Sequence, residues 1–182
     1  MRCIRSRTWG VRVSLHNRVR RSGICARFRC PALLQRRLHL LNIFGDGELK
    51  EDIQSEIDRL DANVHVYPPT SNIMDQYKDS SMLLMTSRFE PFGLVLPEAM
   101  SCGLPVIAFE CPYGPADIIT DGVDGYLIKD RKEDVFSQRV CQLIESHDLR
   151  VQMGQNGIIS SRRYNSSDIM SKWIQLFKQL TS

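Results

Sequence analysis

The stretch SRFEPFGLVLPEAMSCGLPVIAF, residues 87–109, decides the reading of this chain. Its opening cannot be helical, because Pro91 and Gly93 disfavour helix immediately after Glu90, which leaves Glu90 in a loop. A helix follows, with Glu98 in its first turns and Gly103 closing it. Pro97 is tolerated there, since first-turn amides have no intrahelical acceptor. The run LPVIAF at 104–109 then reads as a buried strand. The free amides of that first turn and the positive end of the helix dipole suit an anion such as a diphosphate. Gly93 lets the backbone come close to such a ligand, and the carboxylates of Glu90 and Glu98 flank it, ready to accept from sugar hydroxyls.

Outward from this stretch, apolar strands and amphipathic helices alternate. The run LLNIF ending at Phe44 is a strand followed by the turn GDGE. Leu49, Ile53, Ile57 and Leu60 then recur at helical spacing and form one stripe. The strand NVHVY at 63–67 is stopped by Pro68 and Pro69, a short helix covers 73–77, and SMLLMT at 81–86 is another strand. After residue 109, ECPYGPADIITDGVDG reads as a loop leading to a short strand at 126–128. Helices are predicted at 132–146, 148–162 and 167–180, the last with Asn165, Ser166 and Ser167 as N-caps and Ile169, Trp173, Phe177 and Leu180 as its apolar stripe. The expected fold class is α/β, a Rossmann-like parallel sheet with helices on both faces, its ligands lying beyond the carboxyl ends of the strands.

Charge divides the chain in two. Residues 1–40 hold 11 Arg with no Lys, Asp or Glu, so the rest carries a net −8 within the chain's overall +3. We therefore expect a leader over 1–40, disordered or non-native, and a folded domain over 41–182. The leader reads first as translation from a shifted frame, then as a transit peptide, then as a nucleic-acid arm; its lack of Lys and of any steady period leaves no nucleic-acid partner expected. No apolar run reaches membrane-span length and no secretory signal is apparent, which predicts a cytoplasmic protein, with the inner face of the cell membrane as an option. Six Cys without paired C-x-x-C spacing read as reduced thiols, and no cofactor or metal is expected.

Taken singly, each candidate residue has a plain structural role open to it. Glu98 could simply complement the helix dipole, and Glu90 could be a solvated loop residue. Asp46 and Glu48 read as an N-cap and its neighbour rather than a metal pair. His16, His39, His65 and His147 show no triad spacing. Trp173 and Phe177 read as core or interdomain packing.

The surrounding sequence changes that balance. The 87–109 stretch, with Glu90 and Glu98 separated by seven residues, closely resembles the donor-site signature of glycosyltransferase family 4 (glycosyl transferases group 1), which are retaining GT-B enzymes. The resemblance runs from NIFGDGELK at 42–50 through GPADIITDGVDGYLI at 114–128 to Arg163 and Tyr164, about three quarters of the chain. CPYGPADII is especially similar to enzymes that build surface polysaccharides and lipid-linked glycans. The resemblance implies that Glu98 binds the nucleotide ribose and that Glu90, the catalytic candidate, contacts the transferred sugar. It further implies that the amides of Phe92, Gly93, Leu94 and Val95 face the phosphates, and that the turn Gly45-Asp46-Gly47 lines the same crevice.

The donor would be a nucleotide diphosphate sugar, a UDP-sugar favoured, and the acceptor a glycan or lipid-linked glycan. Two family features have no counterpart. The acceptor-binding domain is missing, and so are the Arg and Lys-Gly that neutralise the donor pyrophosphate; Arg12 and Arg18 fall near that place without matching neighbours. The expectation is thus a truncated donor-binding half, inactive alone because fixed cations normally stabilise the leaving diphosphate. The alternatives are a non-catalytic nucleotide-binding module, a nonfunctional gene fragment, or a subunit completed by an acceptor-domain partner chain, an option the last helix's apolar stripe fits.

Overall fold

A computed structural model describes residues 40–45, 47 and 49–181. Five parallel strands alternate with helices: β1 Leu41–Phe44, β2 Val64–Tyr67, β3 Leu83–Met85, β4 Val106–Phe109 and β5 Gly125–Ile128. The helices are α1 Lys50–Leu60, α2 Ile73–Lys78, α3 Val95–Ser101, α4 Pro115–Ile118, α5 Glu133–Glu145, α6 His147–Ser161 and α7 Ser166–Thr181. Two 3₁₀ turns, Lys129–Arg131 and Arg162–Tyr164, complete the order. The strands form two parallel ladders, β1 with β2 and β3–β4–β5, with Leu83 opposite Val106 and Val106 opposite Gly125.

Strict alternation explains why β3 and β4 are apolar throughout. Leu83, Met85, Val106 and Ala108 point to one face, where they meet Tyr77, Leu96, Ala99, Met100 and Ile118 from α2, α3 and α4. Leu84, Ile107 and Phe109 point to the other, with Ile43 of β1 and Phe136, Val140, Leu143 and Met153 from α5 and α6. Each such side chain, fully buried, contributes about 1.5–3 kcal/mol. A sheet covered on both faces leaves its carboxyl edge as the place for chemistry.

Several sequence expectations are met and some are corrected. The α1 stripe is real, with Ile57 buried and Leu49, Ile53 and Leu60 half-buried. Leu49 stands at its N-cap position, without a side-chain hydrogen bond. Asp46 and Glu48 themselves lie outside the described residues, as does the leader except for Leu40. The stretch 110–125, expected to be loop, contains α4, which starts with Pro115 in its first turn after Gly114 at φ 89. Asn165 accepts from the Ser167 amide at 3.3 Å, as the capping signal predicts for α7. Trp173 and Phe177 are not core: they stack on each other at 5.7 Å and remain 50% and 57% exposed. Cys102 and Cys111 are free thiols.

The back of α3 rests on α6 through glycine. A Cβ on Gly154 would lie 2.1 Å from the carbonyl oxygen of Gly103, and one on Gly157 would touch Met100 at 3.4 Å. Alanine in a helix interior gains about 1 kcal/mol over glycine, but a backbone overlap of this size costs about 1–3 kcal/mol or more. The clash wins. The overlap is with backbone at 2.1 Å, so the upper end of that cost applies, and Gly154→Ala should lower stability by about 2 kcal/mol in urea unfolding; an unchanged or raised midpoint would show that the α3–α6 contact is looser than described.

Candidate donor site

The site is built at the carboxyl end of β3. Beyond Met85 the chain leaves the ladder through Thr86 and Ser87 and runs through an exposed loop into α3. Ser87 Oγ donates to Glu90 Oε1 at 2.6 Å, which holds the half-buried Glu90 carboxylate against the loop's own start. Gly93, buried and at φ 88, makes the turn into the helix. A Cβ there would meet nothing closer than 3.6 Å, so the backbone angle rather than crowding calls for glycine.

The helix entry leaves a distinct set of donors free. The Leu96 amide is bonded to the Gly93 carbonyl at 2.9 Å and the Glu98 amide to the Leu94 carbonyl at 3.1 Å. Among the described residues the amides of Phe92, Gly93, Leu94 and Val95 make no hydrogen bond. Glu98, half-buried in the same helix, accepts from the hydroxyl of Tyr77 at 3.2 Å. Tyr77 is 2% exposed, so this carboxylate is aimed by a fixed donor from α2. Glu90 and Glu98 thus lie before and within the helix entry, with the unbonded amides between them.

A second loop supports the first. Gly114 sits so close that a Cβ on it would overlap the Phe92 carbonyl oxygen at 1.8 Å, and its φ of 89 also requires glycine. Phe92 meets Tyr164 edge-on at 5.5 Å, and the Tyr164 hydroxyl donates to the Asp117 carbonyl at 3.0 Å. Arg163 donates to the carbonyls of Asp117 and Ile118 at 3.0 and 2.6 Å, satisfying the end of α4. Phe89 and Tyr113 pack edge-on at 6.4 Å at the rim. Beside Glu90 lies the buried thiol of Cys111, whose Sγ donates weakly to the Tyr113 carbonyl at 3.5 Å. Burial pushes this thiol's pKa up and the Glu90 charge pushes it further, against backbone hydrogen bonds from Tyr113 and Glu90.

Arg131, from the turn after β5, reaches under the loop. Its guanidinium donates to the carbonyls of Ser87 at 2.9 Å and Thr86 at 3.0 Å and lies 4.4 Å from the centre of the Phe109 ring. Asp130 and Arg131 both adopt left-handed backbone, at φ 53 and 50, a conformation that costs non-glycine residues on the order of 1–3 kcal/mol.

The structure therefore brings Glu90, Phe92, Gly93, Leu94, Val95 and Glu98 together at one helix entry. Gly45 follows β1 at its carboxyl end, where its amide is bonded to the Tyr67 carbonyl at 3.0 Å, so that amide is not free for a phosphate. Gly47 accepts from the Lys50 amide at 3.1 Å at the start of α1. Sequence reasoning missed Tyr77, Ser87, Tyr164 as a loop support, and Arg131. Ser87, three residues before Glu90, carried a local signal; Arg131, 44 residues from Ser87, carried none. Among the described residues no group of three or more His, Cys, Asp or Glu could hold a metal ion. No helix of those residues is long and apolar enough to cross a membrane.

The parallel α/β sheet with helices on both faces is Rossmann-like and closely matches solved GT-B glycosyltransferase structures. The model of the family described as Glycosyl transferases group 1 matches residues 31–159, and the chain belongs to that family. The amylovoran biosynthesis glycosyltransferase AmsD of Erwinia amylovora is 37% identical over 135 residues, covering 73% of this chain and 38% of the relative. The poly(ribitol-phosphate) alpha-N-acetylglucosaminyltransferase of Staphylococcus aureus is 32% identical over 141 residues, 75% of this chain and 28% of the relative. A Staphylococcus aureus TarM mutant, solved with fondaparinux, alpha-GlcNAc-glycerol and UDP, superposes with a TM-score of 0.80 at 26% identity, over 92% of this chain and 35% of that one. The chain thus spans less than two fifths of each of these proteins.

The Glu90–Cys111 proximity makes a pH prediction. Alkylation of Cys111 by iodoacetamide, followed by mass spectrometry, should in the folded chain have its midpoint at higher pH than in the denatured chain. Glu90→Gln removes a negative charge and should move the folded profile down in pH, by the smaller part of the displacement, because burial is the larger cause. A profile that Glu90→Gln leaves in place would put the carboxylate away from the thiol.

Proposed function

We propose that this chain binds a nucleotide diphosphate sugar at the α3 entry and supplies the donor half of a retaining sugar transfer to an acceptor hydroxyl. Glu98 takes the ribose hydroxyls, the amides of Phe92, Gly93, Leu94 and Val95 take the diphosphate, and Glu90 takes hydroxyls of the transferred sugar. Gly45 and Gly47 form part of the crevice wall through their small size. The observation that carries this reading is the row of unbonded amides between two oriented carboxylates. It pairs the two chemistries of the ligand, anionic bridge with N–H donors and alcohols with carboxylate acceptors.

A UDP-sugar is the favoured donor, supported by the UDP in the TarM structure. The relatives' names support a place in surface polysaccharide or related glycan synthesis; the acceptor on this reading is a glycan or lipid-linked glycan, met at the cytoplasmic side of the membrane. The acceptor side would come from outside the region these comparisons cover, in the same polypeptide or in a partner chain.

Calorimetric titration with UDP-, GDP- and ADP-sugars tests the reading. One of them should bind, and Glu98→Ala should weaken it about ten- to a hundred-fold, the loss of one or two charge-assisted hydrogen bonds. Unchanged affinity in that variant, or no binding across the panel, would refute the assignment.

A further inference from the structure

Arg131 grips the start of the site's first loop from the turn after β5, and no part of the reading so far gives it a role. The ladder between β3 and β4 ends with Met85 opposite Ala108, so the next carbonyls, of Thr86 and Ser87, have no strand to pair with. Buried carbonyls need donors. The planar guanidinium supplies both at once, at 3.0 and 2.9 Å, while its face rests on Phe109 4.4 Å away. A lysine could offer neither the fork nor the flat face. The same Ser87 whose carbonyl is gripped gives its hydroxyl to Glu90 at 2.6 Å. Guanidinium, Ser87 and Glu90 therefore form one chain of contacts that begins on the β5 side of the sheet and ends on the carboxylate.

We infer that Arg131 is a positioning residue that sets Glu90 through Ser87, and so governs the part of donor affinity that comes from the sugar rather than from the nucleotide. The inference rests on the donor-site reading above. It goes further by separating the two carboxylates: Glu98 is oriented by Tyr77 from α2, and Glu90 by Arg131 from the far end of the sheet. Its left-handed backbone at φ 50 belongs to the same device, since the side chain enters beneath the loop from that turn. The cost of the turn is offset locally by the two carbonyl bonds and the ring contact.

The experiment uses the full chain and two probes, UDP and the UDP-sugar that binds best, with hydrogen exchange of the loop amides as an independent readout. Arg131→Gln should leave UDP affinity within about two-fold and weaken the UDP-sugar about ten-fold, the size of one well-placed hydrogen bond to a charged group. Exchange should accelerate in 87–95 and stay unchanged in α5. In a Glu90→Gln background the Arg131→Gln change should add little further loss of sugar-dependent affinity, because the two act in series. Equal loss for UDP and UDP-sugar, additive losses in the double variant, or unaltered exchange in 87–95 would each overturn the inference. If the unaltered chain binds neither probe while Arg131→Gln still accelerates exchange in the loop, the donor-site reading falls, and with it the role in sugar affinity, but the clamp stands.

Discussion

Burial of β3 and β4 on both faces is the constraint from which the rest follows. Leu83, Leu84 and Met85 are all buried, and so are the four residues of β4, which leaves neither strand a position for a polar side chain. Polar groups must appear where the strands stop. Thr86, Ser87 and the loop after them are the first residues on that path freed from the ladder, and there the chain turns into α3. The location of the candidate site is thus set by packing before any residue of it is chosen.

A loop so placed would be free to move unless something beneath it were rigid. Here the supports are close backbone contacts and forked donors rather than apolar bulk. Gly114 brings one loop against the carbonyl of Phe92 in the other, and Gly154 brings α6 against the end of α3. Arg131 and Arg163 each bridge two successive carbonyls, the first at the end of β3 and the second at the end of α4. Both guanidiniums do for loop ends what a further strand or turn would otherwise do.

The order of elements, the helical stripe of α1 and the loop–helix break at Glu90 were legible because each rests on local chemistry: period, proline and glycine. Glu90, Glu98 and four residues between them were read as a group through resemblance, and their nearness in sequence puts them at one helix entry. What could not be read is what touches across the fold. Tyr77 lies 21 residues from Glu98, Arg131 44 from Ser87 and Tyr164 47 from Asp117, and each looks in sequence like an ordinary surface or core residue. The α4 helix was missed for a different reason: four residues are too few for a period to show, though Pro115 after Gly114 marks its start. The apolar face of α7 was legible as an exposed stripe from its period, and Trp173, Ile174 and Phe177 are half or more exposed.

The arrangement also constrains how an anionic ligand could lie. Two carboxylates near a diphosphate repel it, and at about 4 Å the repulsion of two unit charges at a protein surface is several kcal/mol. The site escapes this only if the bridge of the ligand keeps to the amides of Phe92–Val95 and the hydroxyl-bearing parts keep to the acids. Arg131 holds its charge, since burial and the neighbouring Arg88 lower its pKa from a value far above neutrality, and so places a cation under the Glu90 end of the loop. The Glu98 carboxylate accepts from the Tyr77 hydroxyl at the other end of the site. On the proposed reading the two ends of the site differ in the groups that orient them, a serine held by a guanidinium at one and a phenol at the other. A ligand that is alcohol at both ends and anion in the middle satisfies both, with its anionic bridge kept to the amides between the two acids.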